Sequence, residues 1–242
     1  MNGKKIFGIA AILLVMQVFL GMSLACNTDC NNNCNNDCNT TCHTKQNTTC
    51  PDCNQLDFYN YVNTSNANVQ VYQEGSKDVS FTNNMEVRNG SIDFTQFVNS
   101  GEWKLTNKAY LEGTRVTFQG VTIGAEDCTN CSNGEIKFNQ HIEVDGYLDP
   151  WAYQKIENAA GTTILEQEVN ITPGGWMRVN QSGYACADCE KGFLAQDGWL
   201  HSPIGGNNMA WQAGLVDGNR GYNEVNAEWW LNFNQVVSFN MN

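Results

Sequence analysis

The sequence contains little proline, little histidine and few basic residues. Four of its 242 residues are proline and three are histidine, and 13 lysines and arginines stand against 25 acidic residues. The histidines, His43, His141 and His201, have neither metal-ligand nor catalytic-triad spacing. The net charge of -12 comes without the clustered cations that phosphate binding requires, which disfavours nucleic acid and anionic membrane as partners.

No arrangement of residues predicts an active site. Acidic pairs such as Asp145 with Asp149 could serve glycoside hydrolysis, which needs two carboxylates across a cleft. With 25 acidic residues in the chain, such pairs arise by chance. We therefore expect a protein that is not an enzyme.

A single long apolar run lies at the start of the chain. Lys4 and Lys5 precede it, it covers residues 6–20, and Ser23-Leu24-Ala25 follows it. This pattern predicts a secretory signal peptide over residues 1–25 and a secreted or cell-surface location. An uncleaved anchor is one alternative, because about 20 residues cross a bilayer. Lipid on Cys26 is another, although residues 23–25 match a lipobox poorly.

Residues 26–55 form a low-complexity segment rich in cysteine and asparagine. It cannot bury an apolar core, so only crosslinks or metal could order it. In an extended chain, cysteines four residues apart lie about 13 Å from each other, too far for a disulfide. We expect disulfides in a folded-back tail or crosslinks to another chain, with metal binding as the alternative. The cysteines of this segment are Cys26, Cys30, Cys34, Cys38, Cys42, Cys50 and Cys53.

Residues 56–242 are predicted to form one all-β domain. Short runs such as Val79-x-Phe81 and Ile136-x-Phe138 alternate apolar and polar side chains, which indicates antiparallel strands. Tight turns are expected at Gln119-Gly120 and Asn139-Gln140. The predicted fold class is an antiparallel sandwich or jelly-roll-like module. A β-solenoid is the second architecture, but no fixed repeat period is apparent.

The chain has three C-x-x-C pairs: Cys50 with Cys53 in the low-complexity segment and, within the β domain, Cys128 with Cys131 and Cys186 with Cys189. Brought together, the four thiolates of the β domain would suit zinc, the one metal cofactor that the sequence suggests. Alternatively, each pair closes a small loop as a disulfide, which an oxidising compartment favours. No pair is followed by a helix pattern or by histidine, which disfavours redox catalysis and haem attachment.

Three tryptophans are candidates for an exposed ligand surface. Trp199 and Trp211 flank a segment rich in glycine and asparagine, and Trp230 stands among polar neighbours in a strand predicted to run from Val225 to Phe233. Exposed tryptophans stack on sugar rings, so carbohydrate is a candidate ligand. A loop that covers the core is the alternative role for residues 198–211.

The expected function is structural. We expect a non-enzymatic, exported cell-surface protein, stabilised by disulfides, that self-associates into a coat, sheath or fibre or joins other cell-envelope components. The alternatives are a carbohydrate-binding or adhesion module and a metal-binding protein. N-x-[ST] sequons, which would mark surface turns if glycosylated, occur at Asn39, Asn47, Asn63, Asn89, Asn130, Asn170 and Asn180.

Overall fold

The computed structural model describes residues 11–18, 56–76, 78–125, 134–146, 148–186, 191–216 and 219–240. Within these ranges all regular structure is strand, which confirms the all-β prediction, and no helix is present that could cross a membrane. Of the predicted signal peptide only 11–18 is described, and the whole cysteine- and asparagine-rich segment lies outside the described residues. The strands are β1 (Ala11–Val18), β2 (Leu56–Ser65), β3 (Ala67–Ser76), β4 (Val79–Ser100), β5 (Trp103–Ala125), β6 (Glu135–Gly146), β7 (Trp151–Asn158), β8 (Thr163–Thr172), β9 (Trp176–Cys186), β10 (Lys191–His201), β11 (Asn207–Val216), β12 (Asn219–Ala227) and β13 (Trp230–Asn240).

From β2 onward the strands form a stack of bent units, which we call rungs. Each rung runs along one layer, bends at a corner and continues along a second layer that faces the first. The rungs span residues 56–76, 79–100, 103–125, 135–158, 163–186, 191–216 and 219–240. The first layer holds β2, β4, β5, β6, β9, β10 and β13, and the second holds β3, β4, β5, β7, β8, β11 and β12. Successive rungs connect at the end opposite the corners, the open end.

The first two rungs are paired in parallel. β2 and β3 lie along the two halves of β4 with a constant offset of 23 residues, as in Leu56 with Val79 and Asn68 with Ser91. This is the geometry of a solenoid coil, so a local repeat period exists where none was apparent, and the purely antiparallel expectation is wrong here. β1 also pairs in parallel, with β3. From β4 onward the rungs are antiparallel.

Glycine occupies the corners because neighbouring rungs approach each other there through their backbones. A Cβ atom on Gly113 would lie 1.9 Å from the carbonyl oxygen of Asp145, and one on Gly175 would lie 2.1 Å from that of His201. No side chain fits at such distances. The three described prolines, Pro150, Pro173 and Pro203, also lie at corners, where no ladder hydrogen bond is lost.

The layers enclose an apolar core in two parts. One cluster lies beside the corners and contains Met85, Phe94 and Phe118. The other lies toward the open end and contains Phe81 and Leu105. Alternation along each half-strand sends these side chains inward and the polar ones outward.

Between the two clusters runs a row of buried amide side chains, which we call the amide row. Gln140 Nε2 lies 2.8 Å from Gln181 Oε1, and Gln154 Nε2 lies 3.1 Å from the same oxygen. Because a buried amide is tolerated only when it is hydrogen-bonded, these contacts align the rungs. The row consists of Asn60, Gln73, Asn83, Gln96, Asn107, Gln140, Gln154, Gln167, Gln181, Gln196, Gln212 and Gln235.

The amide row explains where the predicted turns were wrong. Gln119-Gly120 and Asn139-Gln140 lie within the continuous strands β5 and β6. Gln140 is polar because it accepts a hydrogen bond from Asn107 and donates one to Gln181 inside the core. The strand predicted from Val225 to Phe233 is likewise divided, because the last rung bends at residues 228–229.

Candidate functional site

The two ends of the stack carry edge strands that are open to pairing. Among the described residues, β2, β12 and β13 each pair with one strand only. They are nine to eleven residues long and contain neither lysine nor proline. Proteins usually protect long edges with such residues or with bulges, since an open edge recruits another chain. β2 carries Asp57 and β12 carries Arg220 and Glu224, but none of the three edges has lysine, proline or a bulge, and β13 has no charged residue.

The amide row of the core continues into the first and the last rung of the stack. In the first rung, Asn60 Nδ2 donates to Asn83 Oδ1 at 3.0 Å, and Gln73 Nε2 donates to the same oxygen at 3.0 Å. In the last rung, Gln235 accepts from Gln196 at 2.7 Å. Asn223, the inward-facing partner of Gln212 in the ladder, is exposed because no further rung covers it.

An aromatic stack lies on the outer surface of the first layer. Trp176, His201 and Trp230 are direct neighbours on β9, β10 and β13. Their rings are nearly parallel, with centroids 4.8 Å apart for Trp176 and His201 and 4.0 Å apart for His201 and Trp230. Trp176 Nε1 donates to Asp145 Oδ1 at 2.6 Å, which orients the ring.

The structure places the three predicted tryptophans in two separate locations. Trp230, which is 54% exposed, belongs to the aromatic stack, and the Trp199 ring lies beside it, tilted by 43° with the two ring centroids 5.6 Å apart. Trp211 lies on the outer surface of the second layer, 5.8 Å from Tyr222. Trp176 and His201 were missed, because only the strand order brings them into register with Trp230.

Trp211 borders a shallow acidic and aromatic cavity. Its Nε1 atom donates to Glu168 Oε2 at 3.2 Å, and burial raises the pKa of the adjacent Tyr153. The carboxylates and rings give this surface the polar and apolar character that small polar ligands require. The cavity measures about 360 Å³ and is lined by Asp149, Trp151, Tyr153, Glu168, Asn170 and Thr172.

The described strand ends beside the two C-x-x-C segments of the β domain lie next to each other. Glu135, which follows the β5–β6 connection, is paired with Cys186, which precedes the β9–β10 connection. Cys186 is fully buried. Cys128, Cys131 and Cys189 lie outside the described residues.

The described ranges contain no cluster of three or more histidine, cysteine, aspartate or glutamate side chains that could hold a metal ion. The predicted zinc site is not tested by this, because three of its four cysteines fall outside those ranges. Zinc at the C-x-x-C pairs stays a prediction.

One sequence signal could have located the amide row. The order apolar-x-apolar-x-amide-x-apolar-x-apolar occurs at residues 79–87 and again at 136–144, with Asn83 and Gln140 at the centre.

No protein-family model matches this chain, and neither a curated protein nor a solved structure matches it. The class that the fold defines is thus a two-layered all-β stack with a buried amide row.

Proposed function

We propose that this protein is a non-enzymatic, exported component of a cell surface that self-associates into a coat, sheath or fibre. The observation that carries the proposal is the set of long edge strands β2, β12 and β13 at the two ends of the stack, which contain no lysine, proline or bulge. In most proteins such edges are a hazard because they template pairing with another chain. In an assembling protein the same pairing is the function.

The distribution of exposed apolar side chains supports the proposal. Tyr59 and Tyr61 on β2 are 70% and 73% exposed, and Val236 on β13 is 63% exposed. These residues lie at the ends of the stack, where the edge strand of a neighbouring copy would pack beside them and cover them in part. Association would remove this apolar surface from water and so favour assembly.

The cysteines support a second, covalent level of assembly. The tail cysteines from Cys26 to Cys53 precede the first rung and would emerge near one end of the stack. In the oxidising compartment that the signal peptide predicts, exposed thiols form disulfides. Disulfides between tails would then secure contacts made by the β domain.

Sedimentation velocity of the exported protein, over a hundredfold range of concentration and with and without reductant, tests this function. We expect the average mass to rise with concentration, and part of the large species to persist on dilution until reductant is added. A single monomeric species under every condition would refute the proposal.

Carbohydrate binding is the second candidate, and the aromatic stack favours it. Trp176, His201 and Trp230 present three aligned rings on an outer surface, an arrangement suited to stacking on sugar rings. A glycan array and tryptophan fluorescence would test it with Trp230→Ala. Trp229→Ala is the control, since Trp229 is 51% exposed but lies outside the stack. Equal binding by both variants would exclude this surface.

A further inference from the structure

We infer that copies of this protein join head to tail, with the first rung of one copy pairing with the last rung of the next and continuing the amide row across the interface. This rests on the proposed function, since it names the surface through which self-association occurs. β2 would pair with β13 in the first layer, and β3 with β12 in the second. β2 and β12 run toward the corners whereas β3 and β13 run away from them, so both new pairs are antiparallel.

The amide row fixes the register in the first layer. Placing Asn60 opposite Gln235 sets Phe58 opposite Val237 and Val62 opposite Phe233. Phe58 and Val62 pack on the margins of the two apolar clusters, and so does Val237. Amide therefore meets amide, and apolar meets apolar from Leu56 with Phe239 to Val62 with Phe233; only Thr64, opposite Leu231, departs from the match.

The same rule fixes the second layer independently. Placing Gln73 opposite Asn223 sets Val71 opposite Val225 and Val69 opposite Ala227. Val225 and Ala227 are only partly buried in the single copy. Another rung would complete their burial. It would also give Asn223 an amide partner, as the neighbouring Gln212 already has in Gln167.

The outward-facing side chains are complementary in this register. On the second layer, Glu74 would oppose Tyr222 and Glu224 would oppose Tyr72, so no carboxylate faces another. Tyrosine–glutamate hydrogen bonds already form within each edge, from Tyr72 to Glu74 at 2.9 Å and from Tyr222 to Glu224. Arg220 would lie diagonally across from Glu74, within reach of its charge.

In the first layer, the exposed apolar residues of the two edge strands would lie opposite each other. Tyr59, 70% exposed, would lie opposite Val236, 63% exposed. Asp57 would lie opposite Ser238, which can donate a hydrogen bond to it. The register chosen for the buried amides therefore also brings the exposed apolar side chains of both edges into contact on the outer face.

The contact is large enough for a stable complex. β2 and β3 contribute ten residues each, and β12 and β13 contribute nine and eleven. A standard protein interface engages ~20–30 residues on each side. β1 occupies the free side of β3 from Ala67 to Glu74. Removal of the predicted signal peptide takes β1 away and opens that edge.

A pair of matched variants tests the register. Asn223 and Asn226 lie on the same strand, and both are exposed in the single copy. Asn223 faces inward and would be buried by the next copy, whereas Asn226 faces outward. The full chain is expressed with its export segment, purified after export, and its new N-terminus is established by mass. Sedimentation velocity then compares the wild type with Asn223→Lys and Asn226→Lys.

We expect wild type and Asn226→Lys to form chains of copies that dissociate on dilution. Asn223→Lys should raise the dissociation constant about 100-fold or more, because it would bury an unpaired charge. Only association that reverses on dilution is counted, since disulfide crosslinks do not reverse in that way. Circular dichroism establishes that the variant is folded, and Asn223→Asp replaces it if it is not.

The other outcomes separate the two proposals. If Asn223→Lys associates as tightly as wild type, self-association stands but this register is wrong. If Asn226→Lys dissociates equally, the outward surface carries the contact and the inference is overturned. If wild type itself, with residues 1–25 removed, stays monomeric at every concentration, the proposed function fails as well.

Discussion

Gln154 of β7 donates a hydrogen bond to Gln181 of β9 over 3.1 Å, and this bond crosses from one layer of the protein to the other. Gln181 also accepts from Gln140 at 2.8 Å and donates to Gln196 at 3.3 Å. The Gln181 side chain thereby connects four strands, β6, β7, β9 and β10. A two-residue slip of any strand would place an amide against an apolar cluster, so the row specifies the register as well as the packing.

Replacing Gln181 with methionine should destabilise the fold. The substitution keeps the side-chain volume but leaves Gln140 Nε2 without its acceptor and removes one acceptor of Gln154. We expect the free energy of unfolding to fall by about 2–3 kcal/mol. Urea denaturation measures it, with Gln119→Met as the exposed control, for which a change within about 0.5 kcal/mol is expected. Equal effects at both positions would show that the row contributes no stability.

Replacing Gly113 with alanine should disrupt the corner. The new Cβ would meet the Asp145 carbonyl oxygen at 1.9 Å, so the two rungs must separate. We expect a loss of about 2–4 kcal/mol in the free energy of unfolding. Gly221→Ala is the matched control, because the nearest atom to its Cβ would be 4.0 Å away. Thermal denaturation compares the two, and similar melting temperatures would contradict the corner's close packing.

Tyr110 should titrate unusually late. Its hydrogen bond to Glu112, together with burial, raises the pKa of Tyr110 from 10.0 to about 12. Since the folded state holds this proton more tightly, the stabilisation is complete below pH 10 and is lost as the pH rises toward 12. Absorbance titration near 295 nm should show that Glu112→Gln lowers the pKa of Tyr110 toward the ordinary tyrosine value, while burial still holds it somewhat above. Glu102→Gln should leave the titration unchanged, and identical curves for all three proteins would refute the assignment.

The state of the cysteines decides between crosslinking and metal binding. We expect intact mass with and without reductant to show Cys186 oxidised, and elemental analysis to find no zinc. Cys186→Ser should expose one additional thiol to alkylation in the unfolded protein, and peptide mapping would identify its partner. Stoichiometric zinc, with free thiols released by a chelator, would instead favour the site formed by Cys128, Cys131, Cys186 and Cys189.

Strand formation was predictable because it follows from local alternation. Runs such as Val79-x-Phe81 and Ile136-x-Phe138 place their apolar residues in the core as expected. The amides between such runs were misread, since Gln140 looks like a turn residue until the facing layer supplies its partners. The pairing of Glu135 with Cys186 and the adjacency of Trp176, His201 and Trp230 depend on the order of distant strands. Local pattern carries no information about that order.

The offset of 23 residues between the first rung and β4 has a consequence for how such a chain can change. Each rung touches mainly the rungs beside it, so a tandem duplication of one such segment would add a complete turn and leave the other pairings in register. Every turn lengthens the body by one strand spacing, about 4.8 Å. The number of rungs can therefore change during evolution by one complete rung at a time, and each added rung uses the existing core pattern.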